Sequence, residues 1–216
     1  MSVLGLVERA YYLFHRRGDI VAKLLQHLPR PAGPLDVLDF GGGTGRVSRA
    51  LAKAVPGRYT VADIDRSALL RAATSPLLRP ILIPERGPLP FPSEDFDCVL
   101  VVDVLHHLPD ASASLRELAR CLRPGGRLLI VEFDANHPMT RLMRRLSAGR
   151  ATPCTSWSPE GLSGLCRSLG LQTAGEDVDP LRFLIEASPG PADPATSPRR
   201  RLVQVPAGVG PPAVMT

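Results

Sequence analysis

The chain has 216 residues, 44% of them hydrophobic, enough to bury one sizeable core, and one domain is the natural expectation. No stretch approaches the ~18 consecutive apolar residues of a membrane span, and the four cysteines (Cys98, Cys121, Cys154, Cys166) lack the CxxC spacing of a zinc site or a disulfide framework. The formal net charge of +5 is carried almost wholly by arginine, and no basic stripe interleaved with aromatics accompanies it, so a nucleic-acid partner is not expected.

The start, "MSVLGLVERAYYLF", has Glu8 and Arg9 inside its apolar stretch and no small-residue cleavage site, so neither a signal peptide nor an exported location is expected. Reduced thiols suit a cytoplasmic setting. Residues 7–28 read as a helix that brings Tyr11, Tyr12 and Phe14 together. "LDVLDF" (35–40) is a first strand. A helical pattern follows through "RVSRALAKAV", with Val47, Ala50, Leu51 and Ala54 on one face. "RYTVAD" (58–63) reads as a second strand, "RSALLRAAT" as a helix and "PILIP" (80–84) as a third strand. "DCVLVVD" (97–103), apolar almost throughout, suits a strand buried on both faces of a parallel sheet.

"SASLRELARCL" (112–122) is helical, with Leu115, Leu118, Ala119 and Leu122 at i, i+3, i+4 and i+7, and "RPGG" turns it into a fifth strand, "GRLLIVEF" (126–133). "NHPMTRLMRRLSAGR" (136–150) sets Met139, Leu142, Met143 and Leu146 at helical spacing, with Arg141, Arg144, Arg145 and Arg150 off that face. It is either a helix packed on the sheet or an acceptor lid with an apolar inner face, suited to a hydrophobic or anionic substrate and compatible with peripheral membrane contact. After "SPEGLSGLCRSLG", a helix opened by Ser-Pro and closed by glycine, come strands at 171–178 and 182–187. They are joined by "DP", too short for a crossover, so they pair antiparallel. From Ser188 onward seven of the 23 prolines crowd a stretch without periodicity, expected to be a disordered tail. The expectation is a doubly wound α/β domain over 1–187: a helical cover (1–34), a core (35–187), and a tail (188–216).

"DFGGGTG" (39–45) lies between the first strand and its helix, at the carboxyl edge where open α/β sheets bind ligands. The dinucleotide fingerprint GxGxxG fails here, because its third glycine would fall on Arg46. What fits is acid-x-Gly-x-Gly-x-Gly: Asp39, Gly41, Gly43, Gly45.

"VLDFGGGTG" resembles motif I of the class I S-adenosylmethionine-dependent methyltransferases. "VADIDRSAL", "PLPFPSEDFDCVL", "DVLHHLPD" and "LRELARCLRPGGRLLIVEF" follow in order and resemble the later motifs of the small-molecule branch that includes quinone-biosynthesis enzymes. The resemblance covers residues 35–187. It implies a Rossmann-like sheet of seven strands in the order 3-2-1-4-5-7-6 with the seventh antiparallel, S-adenosyl-L-methionine as cofactor and a small-molecule acceptor. It also implies that the N-terminal helix covers the cofactor mouth.

The resemblance further implies the site. The glycines at 41, 43 and 45 let the methionine part of the ligand lie against the backbone, and Asp39 sets negative charge near its ammonium and sulfonium. Asp63 accepts both ribose hydroxyls with Ile64 against the adenine; Asp65 is the second ribose candidate and equally an N-cap. Glu85 stands where relatives carry Asp toward the adenine amino group. Val102 offers its carbonyl to the methionine ammonium. His107 matches the histidine common in the branch and His106 a variable position; either is a structural strand-end histidine or a general base. Asp103 falls where amino-group methyltransferases begin Asn/Asp-Pro-Pro-Tyr, but the prolines and tyrosine are missing, which argues against adenine or glutamine-amide methylation. No ligand spacing for a metal is present. A cofactor-binding fold that transfers nothing is the alternative function, and an NAD-dependent oxidoreductase a more distant one.

Overall fold

The computed structural model describes residues 17–147 and 155–189. In chain order these form α1 (Arg17–His27), β1 (Leu35–Phe40), α2 (Arg46–Ala54), β2 (Gly57–Asp63), α3 (Arg66–Ala72), β3 (Leu78–Leu82) and β4 (Phe96–Val102). A 3-10 turn (Leu105–His107) follows, then α4 (Ala111–Cys121), β5 (Leu122–Phe133), α5 (Pro138–Ser147), α6 (Pro159–Ser168), β6 (Leu171–Asp179) and β7 (Arg182–Pro189). The seven strands form one sheet in the order β3-β2-β1-β4-β5-β7-β6. β1 to β5 run parallel, and β7 pairs antiparallel with both β5 and β6. This is the Rossmann-like methyltransferase sheet the resemblance implies.

Alternation along the central strands splits the core in two. Leu38, Val99, Val101 and Ile130 face a layer built from α4 and α6, where Leu115, Leu118, Leu162 and Cys166 are buried. Val37, Cys98, Leu100 and Leu129 face the other layer, where Ile20 and Leu24 of α1, Leu51 of α2 and Leu69 of α3 are buried. Strands apolar at every position are what burial on both faces requires.

α1 lies on the sheet face and ends at the edge where the parallel strands begin, where Arg127 of β5 donates to the His27 carbonyl at 3.1 Å. Its last residue, His27, bonds through Nδ1 to Glu186 of β7 at 2.6 Å and through Nε2 to Glu176 of β6, while Lys23 reaches Glu176 at 2.9 Å. Tyr11, Tyr12 and Phe14, expected to cover the mouth, lie outside the described residues.

Several local expectations shift. The buried face of α2 carries Ser48 and Leu51, while Ala54 is exposed, because the Ser48 hydroxyl donates to the buried Asp39 carboxylate at 2.6 Å. β3 begins two residues early, at Leu78. β5 starts at Leu122, and the "RPGG" segment lies inside it as a bulge between the Phe96–Leu122 and Cys98–Arg127 pairs. β7 runs to Pro189, with Ser188 and Pro189 paired to Gln172 and Leu171, so the core extends past the boundary expected at Ser188. The rest of that tail lies outside the described residues. Cys98, Cys121 and Cys166 are buried free thiols; Cys154 is not among the described residues.

Candidate functional site

The parallel strands all end at one edge, and the candidate residues sit on the loops that leave it. β1 delivers the glycine loop. Gly41, Gly43 and Gly45 take φ values of 69°, 55° and 68°, a left-handed run that residues with a Cβ adopt only with strain. The three glycines are not equivalent. A Cβ on Gly41 would stand 2.6 Å from Val104 Cγ2, and one on Gly45 would stand 2.5 Å from Leu78 Cδ1. These two are required by the protein's own packing. A Cβ on Gly43 would meet only Asp63 Oδ2, at 3.8 Å, so the loop opens into free space there.

Asp63, at the end of β2, ties the loop to the sheet. Its Oδ2 accepts from the Gly43 amide at 2.7 Å and its Oδ1 from the Asp65 amide at 2.8 Å. Asp65 accepts from the amides of Ser67 and Ala68 and so caps α3, and the Ser67 side chain, together with these amide bonds, holds its carboxyl below the ordinary range. Ile64 between them is 56% exposed. Asp39 lies beneath the loop, 2% exposed, directly under Gly42, where a Cβ would come 2.5 Å from its carboxyl carbon. Burial pushes its pKa up to about 6; the Ser48 hydrogen bond opposes that and the Asp63 charge adds to it. Glu85 stands exposed on the loop after β3, and no hydrogen bond among the described residues joins it to this group. Farther along the same loop, Glu117 accepts from the Leu89 amide and Arg120 donates to the Phe91 carbonyl, both from α4.

The turn after β4 is the second half of the site. Val102 ends the strand, and Asp103 follows with φ 55°, a left-handed conformation for a residue with a side chain. Its carboxylate is engaged by Arg182 Nε at 3.2 Å, rather than standing open to an acceptor. Burial pushes the Asp103 pKa up to about 6, with Arg182 opposing and Glu132 adding. Val104 leans on Gly41, so this turn and the glycine loop touch.

Glu132, the penultimate residue of β5 and 1% exposed, holds the turn from below. Its Oε1 accepts from the amides of Val104 (2.9 Å) and Leu105 (2.6 Å), and its Oε2 pairs with His106 Nδ1 at 2.7 Å. A carboxylate has no proton to offer, so Nδ1 of His106 carries the hydrogen. Burial works against the imidazolium, but the Glu132 hydrogen bond and charge, with Asp103, outweigh it and raise the His106 pKa above the ordinary value. His107 is exposed, its ring 4.0 Å from that of His106; burial, then the charge of His106, lower its pKa. The His106 carbonyl also accepts from the Thr155 amide, which brings the strand-like segment after α5 across this edge.

Of the sequence candidates, then, Asp39, Gly41, Gly43, Asp63, Val102, Asp103, His106 and His107 are gathered by direct contacts or adjacency, and Ile64 borders them. Gly45 serves the packing behind them and Glu85 stands apart. Glu132, Arg182 and Asp179 belong to the group and were not singled out. The visible signal for Glu132 was a carboxylate inside the otherwise apolar "LLIVEF".

Among known proteins, the chain is 40% identical over 106 residues to a ubiquinone/menaquinone biosynthesis C-methyltransferase of Bordetella parapertussis, covering 46% of this chain and 41% of that one. A counterpart from Chromobacterium violaceum is 38% identical over 104 residues, covering 45% and 43%. The match thus spans about two fifths of the length of these relatives. By fold, an S-adenosylmethionine-dependent methyltransferase from Aquifex aeolicus superposes with a TM-score of 0.65 at 19% identity, covering 83% of this chain and 96% of that one. A Haloferax volcanii protein solved with the Trm112 methyltransferase activator gives 0.71 at 18%, covering 86% and 95%. The model of the methyltransferase domain matches residues 10–174, most of the chain. With the seven-strand order and the glycine loop at its carboxyl edge, the chain belongs to the methyltransferase domain family, in its class I, S-adenosylmethionine-dependent form.

Proposed function

We propose that the chain transfers a methyl group from S-adenosyl-L-methionine to a small, hydrophobic acceptor held over the turn that carries His106 and His107. One observation supports this most: the loop opens at Gly43 beside Asp63, and through the Gly41–Val104 contact it abuts a turn bearing a Glu132–His106 pair. A cofactor cradle and a proton acceptor are thereby fixed against each other.

The residues fit the cofactor. The free space over Gly43 suits the methionine chain, Asp63 the ribose hydroxyls, exposed Ile64 the adenine face, and the Val102 carbonyl the ammonium; Asp39 supplies negative charge from beneath. Glu85 would serve the adenine amino group from its loop. The cofactor supplies an electrophilic methyl on a sulfonium, so the protein's contribution is alignment and electrostatics. His106, with Nδ1–H donated to Glu132, keeps Nε2 to accept the proton that the acceptor nucleophile gives up, in the manner of a base oriented by a carboxylate. His107, neutral near pH 7 by its lowered pKa, is the second proton acceptor at this mouth.

α5 supports an apolar acceptor. Met139 and Leu142 are 41% and 47% exposed, and Arg141 and Arg145 of the same helix are exposed beside them. The relatives named for quinone biosynthesis favour a ring acceptor methylated at carbon. No helix among the described residues is long and apolar enough to cross a membrane.

Calorimetry with S-adenosylhomocysteine tests the cofactor: micromolar-range binding is expected, with none for NAD at the same concentration. Metabolite profiling of a deletion strain tests the reaction. An accumulated apolar species and its lost methylated partner are expected; cofactor binding without any such pair would leave only a binding fold.

A further inference from the structure

Arg182 opens β7, at the far end of the chain from the glycine loop, yet its side chain is 1% exposed and points to the turn after β4. Its Nε donates to Asp103 Oδ1 at 3.2 Å, its Nη1 donates to Asp179 Oδ2 at 3.0 Å, and its guanidinium lies 4.4 Å from the Phe133 ring centroid. Asp179 is itself fixed, because its Oδ1 accepts from the amides of Leu181 and Arg182. The β6–β7 turn therefore presents a cation on a rigid mount. The residue it grips, Asp103, is one of two non-glycine residues with positive φ among those described. A left-handed residue with a side chain persists only where its surroundings over-determine it. Here a buried ion pair on one side and the Asp103 amide bonded to the Val131 carbonyl at 2.9 Å on the other do so.

What this conformation sets is specific. It aims the peptide that follows Val102, and it lays Val104 on Gly41. We propose that Arg182 is a positioning residue for cofactor binding: by pinning Asp103 in its left-handed conformation, the terminal hairpin fixes the Val102 carbonyl and the Val104–Gly41 contact that together shape the methionine end of the pocket. The inference rests on the reading that the Val102 carbonyl takes the cofactor ammonium, and it is independent of which acceptor is used. A buried charge pair holds such geometry better than it stabilises the fold, since its desolvation offsets much of its attraction.

The test compares Arg182→Lys, Arg182→Gln and the double variant Asp103→Gly/Arg182→Gln in the full chain, by calorimetric titration with S-adenosylhomocysteine and by melting temperature. Arg182→Gln is expected to weaken binding roughly ten- to hundredfold, the range for removing one partner of a buried charged hydrogen bond. Arg182→Lys, which keeps the charge but cannot fork to both carboxylates, is expected to fall between it and the unaltered chain. The double variant is expected to regain most of the affinity, because glycine takes a positive φ without a clamp and the Asp103 carboxylate is gone, while Asp179 keeps its amide bonds on the hairpin turn, away from the cofactor loop. If Arg182→Gln fails to fold while the double variant folds and binds, the same coupling is shown. The proposal is overturned if Arg182→Gln binds like the unaltered chain, if the double variant binds no better than the single one, or if neither folds.

Discussion

Replacing each loop glycine by alanine in turn separates ligand space from protein packing. At Gly43 the added methyl meets only Asp63 Oδ2, at 3.8 Å, so the folded state bears the left-handed backbone cost alone. That cost is about 1–2 kcal/mol. For a domain of this size each kcal/mol shifts the melting temperature by roughly 2–4 °C, so Gly43→Ala should melt about 2–8 °C lower. At Gly41 the methyl also stands 2.6 and 2.7 Å from the two Val104 γ-carbons. Overpacking of this kind adds about 1–3 kcal/mol, and Val104 cannot retreat freely because its amide is bonded to Glu132. Gly41→Ala should therefore be the less stable variant by differential scanning fluorimetry. Calorimetry with S-adenosylhomocysteine should reverse the emphasis: Gly43→Ala folds yet loses at least about tenfold in affinity, and Gly43→Val loses measurable binding, because the side chain fills the ligand's path. Unchanged affinity in Gly43→Ala, or a melting temperature as low as that of Gly41→Ala, would refute the assignment of the open space to the cofactor.

Three further outcomes follow from the same contacts. Asp63→Ala should weaken cofactor binding by about 1.5–3 kcal/mol, the range for hydrogen bonds to a charged group, whereas Asp65→Ala should lower the melting temperature through the lost cap with affinity nearly kept; titration and melting curves together read both. Asp39, with its pKa near 6, is anionic above that pH and neutral below it, so cofactor affinity should decline as pH falls through 6, and Asp39→Asn should flatten that dependence; a decline that persists in Asp39→Asn would assign it elsewhere. Burial lowers the His106 pKa but the Glu132 hydrogen bond and charge outweigh it and raise it; if His106 is the base, then in Glu132→Gln the acidic limb of the pH–rate profile should move to lower pH while the maximal rate falls, and an unmoved limb would dismiss that role.

The parts of the molecule legible in the sequence are those encoded within a few residues of one another. The alternation of apolar runs with helical periods finds all seven described strands, though β3 and β5 begin earlier and β7 ends later than the pattern predicts, and "DP" between two strands dictates their antiparallel pairing. The spacing of Asp39, Gly41, Gly43 and Gly45 marks the candidate cofactor loop because left-handed turns need glycine locally. The charge network was not legible, because its members are far apart: His106 and Glu132 are separated by 26 positions, Asp103 and Arg182 by 79. Only the stacking of β4, β5 and β7 side by side brings them together. Ser48 shows the same limit on a smaller scale. Hydrophobic periodicity rotates the buried face of α2 toward Ala54, but a hydroxyl bonded to a buried carboxylate outweighs an alanine methyl.

The place of β7 in the sheet carries a consequence for synthesis. It is the last of the described strands, yet it lies inside the sheet, between β5 and β6. Until it leaves the ribosome, β5 offers one unpaired backbone edge lined by Leu128, Leu129, Ile130 and Val131, all fully buried in the finished protein. α1, the first of the described elements, has no partner for His27 Nδ1 until Glu186 arrives 159 positions later. A nascent chain ending anywhere before residue 182 is therefore an open, apolar sheet edge, the surface on which strands of other chains add. Completion of this fold is an event of the final few residues of the domain, and chains stalled short of it should be the ones that chaperones hold and that aggregate when they do not.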